Sequence, residues 1–281
     1  MGSSDTPLIN LEKYPINERS SSRFKTILRQ VHAELAKDGC AVLKGFIGAE
    51  GVRALAWEAN QTAAFAHKSH SRTNAYFTKD DPELPGDHPA RRFFERSNAF
   101  VPADNFPADG PLRRIYDFDG FDGFIQACLQ QHPFHRYADP LADVIINMAD
   151  QGNGFPWHYD TNNFTVTISI QNALSGGAFE YVPDLRKGTE DFAEVNRVLD
   201  GVSDKVCTLH LEPGDLQIFK GRYALHRVTP LTGDRPRFVA IFSYVDQPDM
   251  VATPERCLQL YGRALPIHYE RAGQRADSFL D

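Results

Sequence analysis

Residues 155–171 read FPWHYDTNNFTVTISIQ, and the second half of that stretch decides the fold. Phe164, Val166, Ile168 and Ile170 alternate with Thr165, Thr167, Ser169 and Gln171. An apolar/polar period of two over eight residues is the pattern of a half-buried strand, because successive side chains leave an extended backbone on opposite faces. Further short strands follow at Ala178–Val182, Val206–Leu211, Leu216–Lys220 and Arg237–Val245, separated by the turn signals SGG (175–177), PGD (213–215) and TGDRP (232–236). Upstream the period changes. Phe24, Ile27, Leu28, Val31 and Leu35 keep helical spacing up to Gly39, a residue suited to closing a helix. A short strand is expected over Cys40–Phe46, with further helices over about Ala49–His67 and Phe121–Gln130. Helices first and many short antiparallel strands afterwards predict an α+β, mainly β architecture: a barrel or jelly roll flanked by amino-terminal helices.

The first half of the quoted stretch carries chemistry. His158 and Asp160 are two residues apart, so an extended chain sends both side chains to one face. An imidazole and a carboxylate converging there, joined by one distant histidine, would make the facial triad that leaves three positions of an iron ion open. His226 is the candidate third ligand. It lies 66 residues beyond Asp160, after the strand-like LQIFKG and before the last strong strand. Arg237 opens that strand 11 residues later, where a guanidinium fork could hold a carboxylate bidentately. Arg235 competes for that role; Arg237 is preferred because Val239, Ile241 and Ser243 share its face and would line a barrel. His210 and Glu212 form a second His-x-Glu pair, but only 14 residues separate Glu212 from His226, too few for the usual span between ligand strands. The remaining histidines (67, 70, 88, 132, 135 and 268) fall in loops or near turns, where solvation is the expectation.

Composition sets outer bounds. The 281 residues carry a net charge of −7, which disfavours nucleic acid and anionic membranes as partners. No apolar run approaches the roughly 18 residues of a membrane span. Twenty Phe and ten Tyr are too much aromatic surface for a disordered chain. The opening MGSSDTPLINLEKYP has no basic head and apolar stretch of a signal peptide, and Cys40, Cys128, Cys207 and Cys257 form no CxxC pair. Reduced thiols and a cytoplasmic location are expected, with oligomeric state unreadable.

From about Tyr76 to Arg263 the chain resembles the Fe(II)/2-oxoglutarate-dependent oxygenases, particularly the subgroup of amino-acid hydroxylases and radical halogenases of free amino acids. FTKDDPELPGDHPARR (77–92), WHYDTNNFTVTISIQ (157–171), GGAFEYVPDLR (176–186), EPGDLQIFKGRYALHRVTPLTGDRPRFVAIFSY (212–244) and LYGR (260–263) carry the resemblance. It implies a double-stranded β-helix core (jelly-roll, cupin-like), iron ligands at His158, Asp160 and His226, and 2-oxoglutarate held by Arg237. It also implies O2 as co-substrate and release of succinate and CO2. Halogenases of the subgroup have a small residue where this chain has Asp160, so the resemblance implies hydroxylation of a free amino acid or related small metabolite; desaturation and cyclisation use the same cofactors. A cupin-like isomerase or metal sensor is the rival, and it has no need of Arg237.

Dense Pro, Asp and Gly over residues 68–110, most of all Arg72–Pro107, suggest a lid over the barrel mouth. Arg72, Asn74, Tyr76, Arg91 and Arg92 are candidates there for a carboxylate clamp, and Trp157, Asn163 and Tyr261 for pocket walls. Thr161 supplies no charge for a substrate ammonium. One domain over 1–281 is expected: a loose arm (1–20), helices and lid loops (21–135), a barrel core (136–246) and a carboxy-terminal extension (247–281).

Overall fold

Ser21 and Gly39 frame the first helix, α1 (Ser22–Asp38): the Ser21 hydroxyl accepts the Phe24 amide, and Gly39, at φ 65°, donates its own amide to Leu35. The computed structural model describes residues 7–162, 164–186 and 189–271, with the backbone alone at Asn98. After α1 come β1 (Cys40–Leu43), α2 (Ala49–Thr62), β2 (His67–Thr73), β3 (Phe94–Val101), α3 (Pro111–Tyr116), α4 (Phe121–Leu129) and β4 (His135–Arg136). The barrel strands follow: β5 (Val144–Ala149), β6 (Phe155–His158), β7 (Phe164–Gln171), β8 (Ser175–Gly176) and β9 (Phe179–Val182). Then come α5 (Phe192–Leu199), β10 (Cys207–Leu209), β11 (Leu216–Phe219), β12 (Leu225–Val228), β13 (Leu231–Thr232), β14 (Arg237–Val245), α6 (Pro254–Tyr261) and α7 (Pro266–Arg271).

The strands form two principal antiparallel sheets. The larger runs β1-β11-β7-β14-β5-β3-β2, with β4 on β14; the smaller runs β10-β9-β12-β6. The larger sheet has two distinct faces, and the period-two pattern of β7 and β14 explains why. Phe164, Val166, Ile168 and Ile170, with Phe238, Ala240, Phe242 and Tyr244, turn outward and pack under α1 to α4 against Phe24, Leu55, Ile115 and Phe124. The opposite set, Thr165 and Thr167 with Arg237, Val239, Ile241 and Ser243, lines the cavity between the sheets. The apolar stripes thus anchor the helical layer, and the polar stripes are left for the interior. At roughly 1.5–3 kcal/mol per fully buried large side chain, that helix-facing layer is the main source of cohesion.

Three sequence expectations change. Residues 7–20 are no loose arm: Ile9 bridges to Ile47, the Tyr14 hydroxyl donates to the Lys44 carbonyl at 2.8 Å, and Ile16 is fully buried. The proposed lid shrinks to 74–93, because β2 and β3 pair from His67↔Phe100 to Thr73↔Phe94 and extend the larger sheet. β2 is the polar edge strand HKSHSRT, which has no apolar alternation for a periodicity reading to find. His268 is not solvated; it is fully buried in α7. Its Nδ1 accepts the Leu265 amide at 2.8 Å, so Nε2 carries the proton and donates to Asp139 at 3.2 Å.

Asp139 is the hub of that corner. Its carboxylate also accepts the amides of Leu141 and Ala252, both at 2.8 Å, and touches the buried Cys257 of α6. These contacts fasten 247–271, and with it α6, against β2 and β3. Asp139, Cys257 and His268 have ligand atoms near one another, but the donors already given to Asp139 and His268 make the group a structural clasp rather than a metal site. All four cysteines are free, and among the described residues no helix is long and apolar enough to cross a membrane.

Asp139→Ala leaves two buried amides and an imidazole without their acceptor, so a loss of about 3 kcal/mol is expected. Thermal unfolding should show a midpoint lower by roughly 6–12 °C; a midpoint within a degree of wild type would refute the clasp.

Candidate metal centre

β6 and β12 are neighbours in the smaller sheet, and their register sets His158 directly opposite His226. The two rings lie 4.1 Å apart, centroid to centroid. Asp160 follows β6 and is turned back onto the pair by its amide, which donates to the Gly221 carbonyl at 3.1 Å. The carboxylate then stands 3.7 Å from His158 Nε2 and 3.4 Å from His226 Nε2. One ligand atom from each of the three lies within 4.8 Å of the others.

Both imidazoles are fixed in one tautomer. His158 Nδ1 is 2.8 Å from the Pro156 carbonyl, and His226 Nδ1 is 2.9 Å from that of Ala224. A carbonyl only accepts, so each Nδ1 is the donor, and the neutral form of each ring presents its Nε2 lone pair to the carboxylate. Two lone pairs and an anion gathered in a buried space repel unless a cation or proton joins them. The donor set of two imidazole nitrogens and one carboxylate oxygen fits divalent iron. Burial pushes His158 well below its usual range, with His226 adding to the effect and Asp160 opposing it. Burial would raise Asp160, but the charge and hydrogen bonding of His226, followed by His158 and the Thr165 hydroxyl, outweigh it and bring its pKa down to about 2. Neutral imidazoles and an ionised carboxylate are the states a metal requires.

Gly221 makes this geometry possible. A Cβ on Gly221 would lie 1.9 Å from Asp160 Oδ2, closer than any real contact, so the carboxylate can occupy its place only beside a residue without a side chain.

Across the cavity, Arg237 is buried, and burial pushes its pKa down to about 10. Val239, Ile241 and Ser243 share its wall, with Thr165 and Thr167 beside them. Arg235 is exposed two residues earlier, so strand alternation does not bring it in; the turn before β14 carries it to solvent.

The other expected site residues divide. Tyr261 of α6 lines the cavity, and so does Thr161. Trp157 is buried on the far side of its strand from His158, under the Arg227 guanidinium at 4.7 Å. Tyr76 is buried against Tyr159 and Arg186, away from the cavity. Arg72 is exposed, 5.9 Å from the Phe93 ring, and Arg92 is taken by Asp200 at 2.7 Å and by Asn196. Arg91 pairs with Asp80, and Asn74 organises the loop by binding the Thr78 hydroxyl and accepting the Tyr76 and Thr78 amides. None of these four forms a clamp at the triad. Asn163 lies outside the described residues. Glu180 holds Arg227, and Arg186 holds Glu190.

Arg96 of β3 and Arg256 of α6 were not singled out by sequence, yet both line the cavity. Arg96 is 2% exposed, and its Nε and Nη1 have no hydrogen-bond partner. Its guanidinium sits 4.4 Å from the Phe77 ring centroid and 4.2 Å from that of Phe155, while that of Arg256 sits 4.5 Å from Phe77. Burial lowers the Arg96 pKa, nearby Arg256 lowers it further, and Asp160 opposes them. Cation–π contact with two rings recovers about 1–4 kcal/mol, against a desolvation penalty of several kcal/mol for an unpaired ion. Phe77 stands at φ 62°, a conformation costly to a residue with a Cβ, and its ring is 5.7 Å from that of His158. The loop is held to the site by the Tyr159 amide, which donates to Ala75 at 3.0 Å.

A family profile described as HalD, Halogenase D, matches residues 24–256 of the chain. No curated protein matches it. Among solved structures it is similar to SnoN, described as a non-haem alpha-ketoglutarate-dependent epimerase from nogalamycin biosynthesis (TM-score 0.56, 15% identity, 79% of this chain and 82% of that one). HygX from Streptomyces hygroscopicus, solved with nickel and 2-oxoglutarate, gives a TM-score of 0.55 at 12% identity over 79% of this chain and 90% of its own. A 2OG-Fe(II) oxygenase family protein from Burkholderia pseudomallei gives 0.50 at 12% over 78% and 91%. At these identities the likeness is one of fold.

The Gly221 contact yields a direct test. Gly221→Ala should keep the circular dichroism spectrum of the fold but weaken Fe(II) or Mn(II) binding at least tenfold by calorimetry, as displacing one ligand of three requires. Wild-type metal affinity in the alanine variant would show that Asp160 does not depend on that gap.

Proposed function

We propose, starting from a chain that belongs to the Halogenase D family by its match over residues 24–256, that it is a non-haem Fe(II)- and 2-oxoglutarate-dependent oxygenase. In this reading it hydroxylates an unactivated C–H of a free amino acid or related small metabolite, within one oxygenase domain and in the cytoplasm. The observation that carries it is the meeting of His158, Asp160 and His226, with both Nε2 lone pairs turned toward one carboxylate and a buried Arg237 across the same cavity.

His158, Asp160 and His226 would hold the iron, which with 2-oxoglutarate and O2 supplies the oxidising power and yields succinate and CO2. The carbonyls of Pro156 and Ala224 keep the two rings in the ligating tautomer. The Arg237 guanidinium would hold the far carboxylate of 2-oxoglutarate, in a buried wall where a charged hydrogen bond gains strength. Phe155, Phe179 and Phe219 crowd the imidazoles and exclude water from the reacting face. Asp160 favours hydroxylation over halogenation, since a halide would have to displace a protein carboxylate held in place by Gly221. A metal isomerase or sensor of the same fold gives Arg237 no task.

Under anaerobic conditions, wild-type protein with Fe(II) and 2-oxoglutarate should develop a weak visible charge-transfer band. Asp160→Ala combined with His226→Ala should abolish it. Arg237→Ala should raise the 2-oxoglutarate concentration needed by about 10- to 100-fold, the loss of a charged hydrogen-bond pair. A band absent from wild type, or unchanged in the double variant, would sink the reading.

A further inference from the structure

We propose that the substrate of this cavity is a monocarboxylic amino acid with an uncharged, apolar side chain, its carboxylate held by Arg96 and its side chain laid along the wall of Phe155, Phe100 and Tyr261. The inference rests on the oxygenase reading above and narrows the substrate of that same cavity.

The polar and apolar halves of this recognition meet at Phe155. Its ring lies 4.2 Å from the Arg96 guanidinium carbon, 4.4 Å from the His158 ring and 6.0 Å from the Phe100 ring. A cation, a triad imidazole and an apolar wall thus share one side chain, and a molecule reaching from Arg96 toward Phe100 runs beside the triad. Arg96 is almost wholly buried, and its Nε and Nη1 have no hydrogen-bond partner. The rings of Phe77 and Phe155 beside it carry no oxygen or nitrogen to accept those donors. An acceptor has to come from the cavity, and a carboxylate meets a guanidinium fork with two parallel bonds. Arg91 and Arg92, by contrast, already have Asp80 and Asp200.

The wall beyond Phe155 is made of carbon. The Phe100 ring lies 6.4 Å from that of Tyr261, and Ile145 and Ile241, register partners on β5 and β14, line the same cavity with Leu260 of α6. All six side chains belong to one apolar cluster that also holds Val245, Met250 and Cys257, so core backs the wall. Burial raises the Tyr261 phenol, which keeps its proton and adds no charge. Among the described residues that line the cavity the only acidic side chain is Asp160, a member of the triad. A lysine-like ammonium would therefore lose its water against this wall with no carboxylate to meet it, and a second substrate carboxylate would lose its water against the same carbon surface. A hydrocarbon side chain carries no such penalty and gains by leaving water. For the α-ammonium the cavity offers neutral side-chain oxygens, those of Thr161 and Asn162 among them.

The test loads anaerobic wild-type protein with Fe(II) and saturating 2-oxoglutarate, then titrates L-leucine, L-norleucine, L-phenylalanine, L-lysine, L-aspartate and L-asparagine, read by calorimetry. At least one of the three apolar amino acids should bind about 10-fold or more tighter than lysine, aspartate and asparagine. The same amino acid should bind about 10-fold or more tighter than its own carboxamide, which has the side chain without the carboxylate. In Arg96→Met that preference for acid over carboxamide should fall to about twofold or less, and Arg96→Lys, which keeps the charge without the fork, should retain part of it. A merely structural role for Arg96 would weaken acid and carboxamide together and leave their ratio unchanged. Tighter binding of lysine or aspartate, equal binding of the apolar acid and its carboxamide, an unchanged ratio in Arg96→Met, or no binding of any of the six by wild-type protein that forms the charge-transfer band would each overturn the proposal. Failure of the band itself would instead remove the oxygenase reading beneath it.

Discussion

The fold turns on a local electrostatic conflict. Two imidazole lone pairs and a carboxylate are brought together in a buried space by the β6–β12 register, by two backbone carbonyls and by one glycine. The Thr165 hydroxyl hydrogen-bonds the carboxylate and eases that repulsion in part, while the surrounding strands keep the three groups from moving apart. The paired strands prevent the histidines from separating. The larger sheet, stiffened by a layer of helices on its outer face, closes the other side. A cation is the missing term, and the protein spends conformational freedom in advance to receive it.

Much of this was legible in the sequence because strand periodicity is a strong signal where one face is apolar. The expected strand in the 155–171 stretch coincides with β7, and the shared face of Arg237, Val239, Ile241 and Ser243 is the cavity wall. What periodicity leaves open is which face looks where. The apolar stripe of β7 supports helices, and its threonines face the interior, a choice set by tertiary packing rather than by the strand itself. Arg96 escaped notice for a related reason. In FERSNAFV it reads as one polar residue among several on a polar hairpin, and only the docking of α6 and the 74–93 loop turns it into a buried cation. Conversely, Arg91 and Arg92 stood as candidates because they fall in the expected lid, and the fold gives Arg91 an acid of the same loop, Asp80, and Arg92 one at the end of α5, Asp200.

The cavity is assembled from parts with unequal claims to rigidity. The triad and Arg237 stand on paired strands. Phe77 stands on a loop, and Arg256 and Tyr261 stand on a helix fastened through Asp139 and His268. The triad side is thus held by sheet hydrogen bonds, and the α6 side by contacts of side chains, at Asp139 and at Gln259, which donates to the Ser71 hydroxyl of β2 at 3.2 Å. Local opening of the α6 side costs less than global unfolding, and it moves the wall containing Arg256 without disturbing the metal donors.

Gly221 and Asp160 have a consequence for how such a site can change over many generations. The two positions share one small volume: a side chain at 160 requires none at 221. Loss of the carboxylate would remove the two closest contacts of a Cβ at 221 and leave only the Cβ of residue 160, at 3.1 Å, so a side chain at 221 could be admitted after a small shift. Once one was in place, the carboxylate could not return by a single substitution. The pair behaves as a ratchet, and the glycine now present keeps the reverse path open.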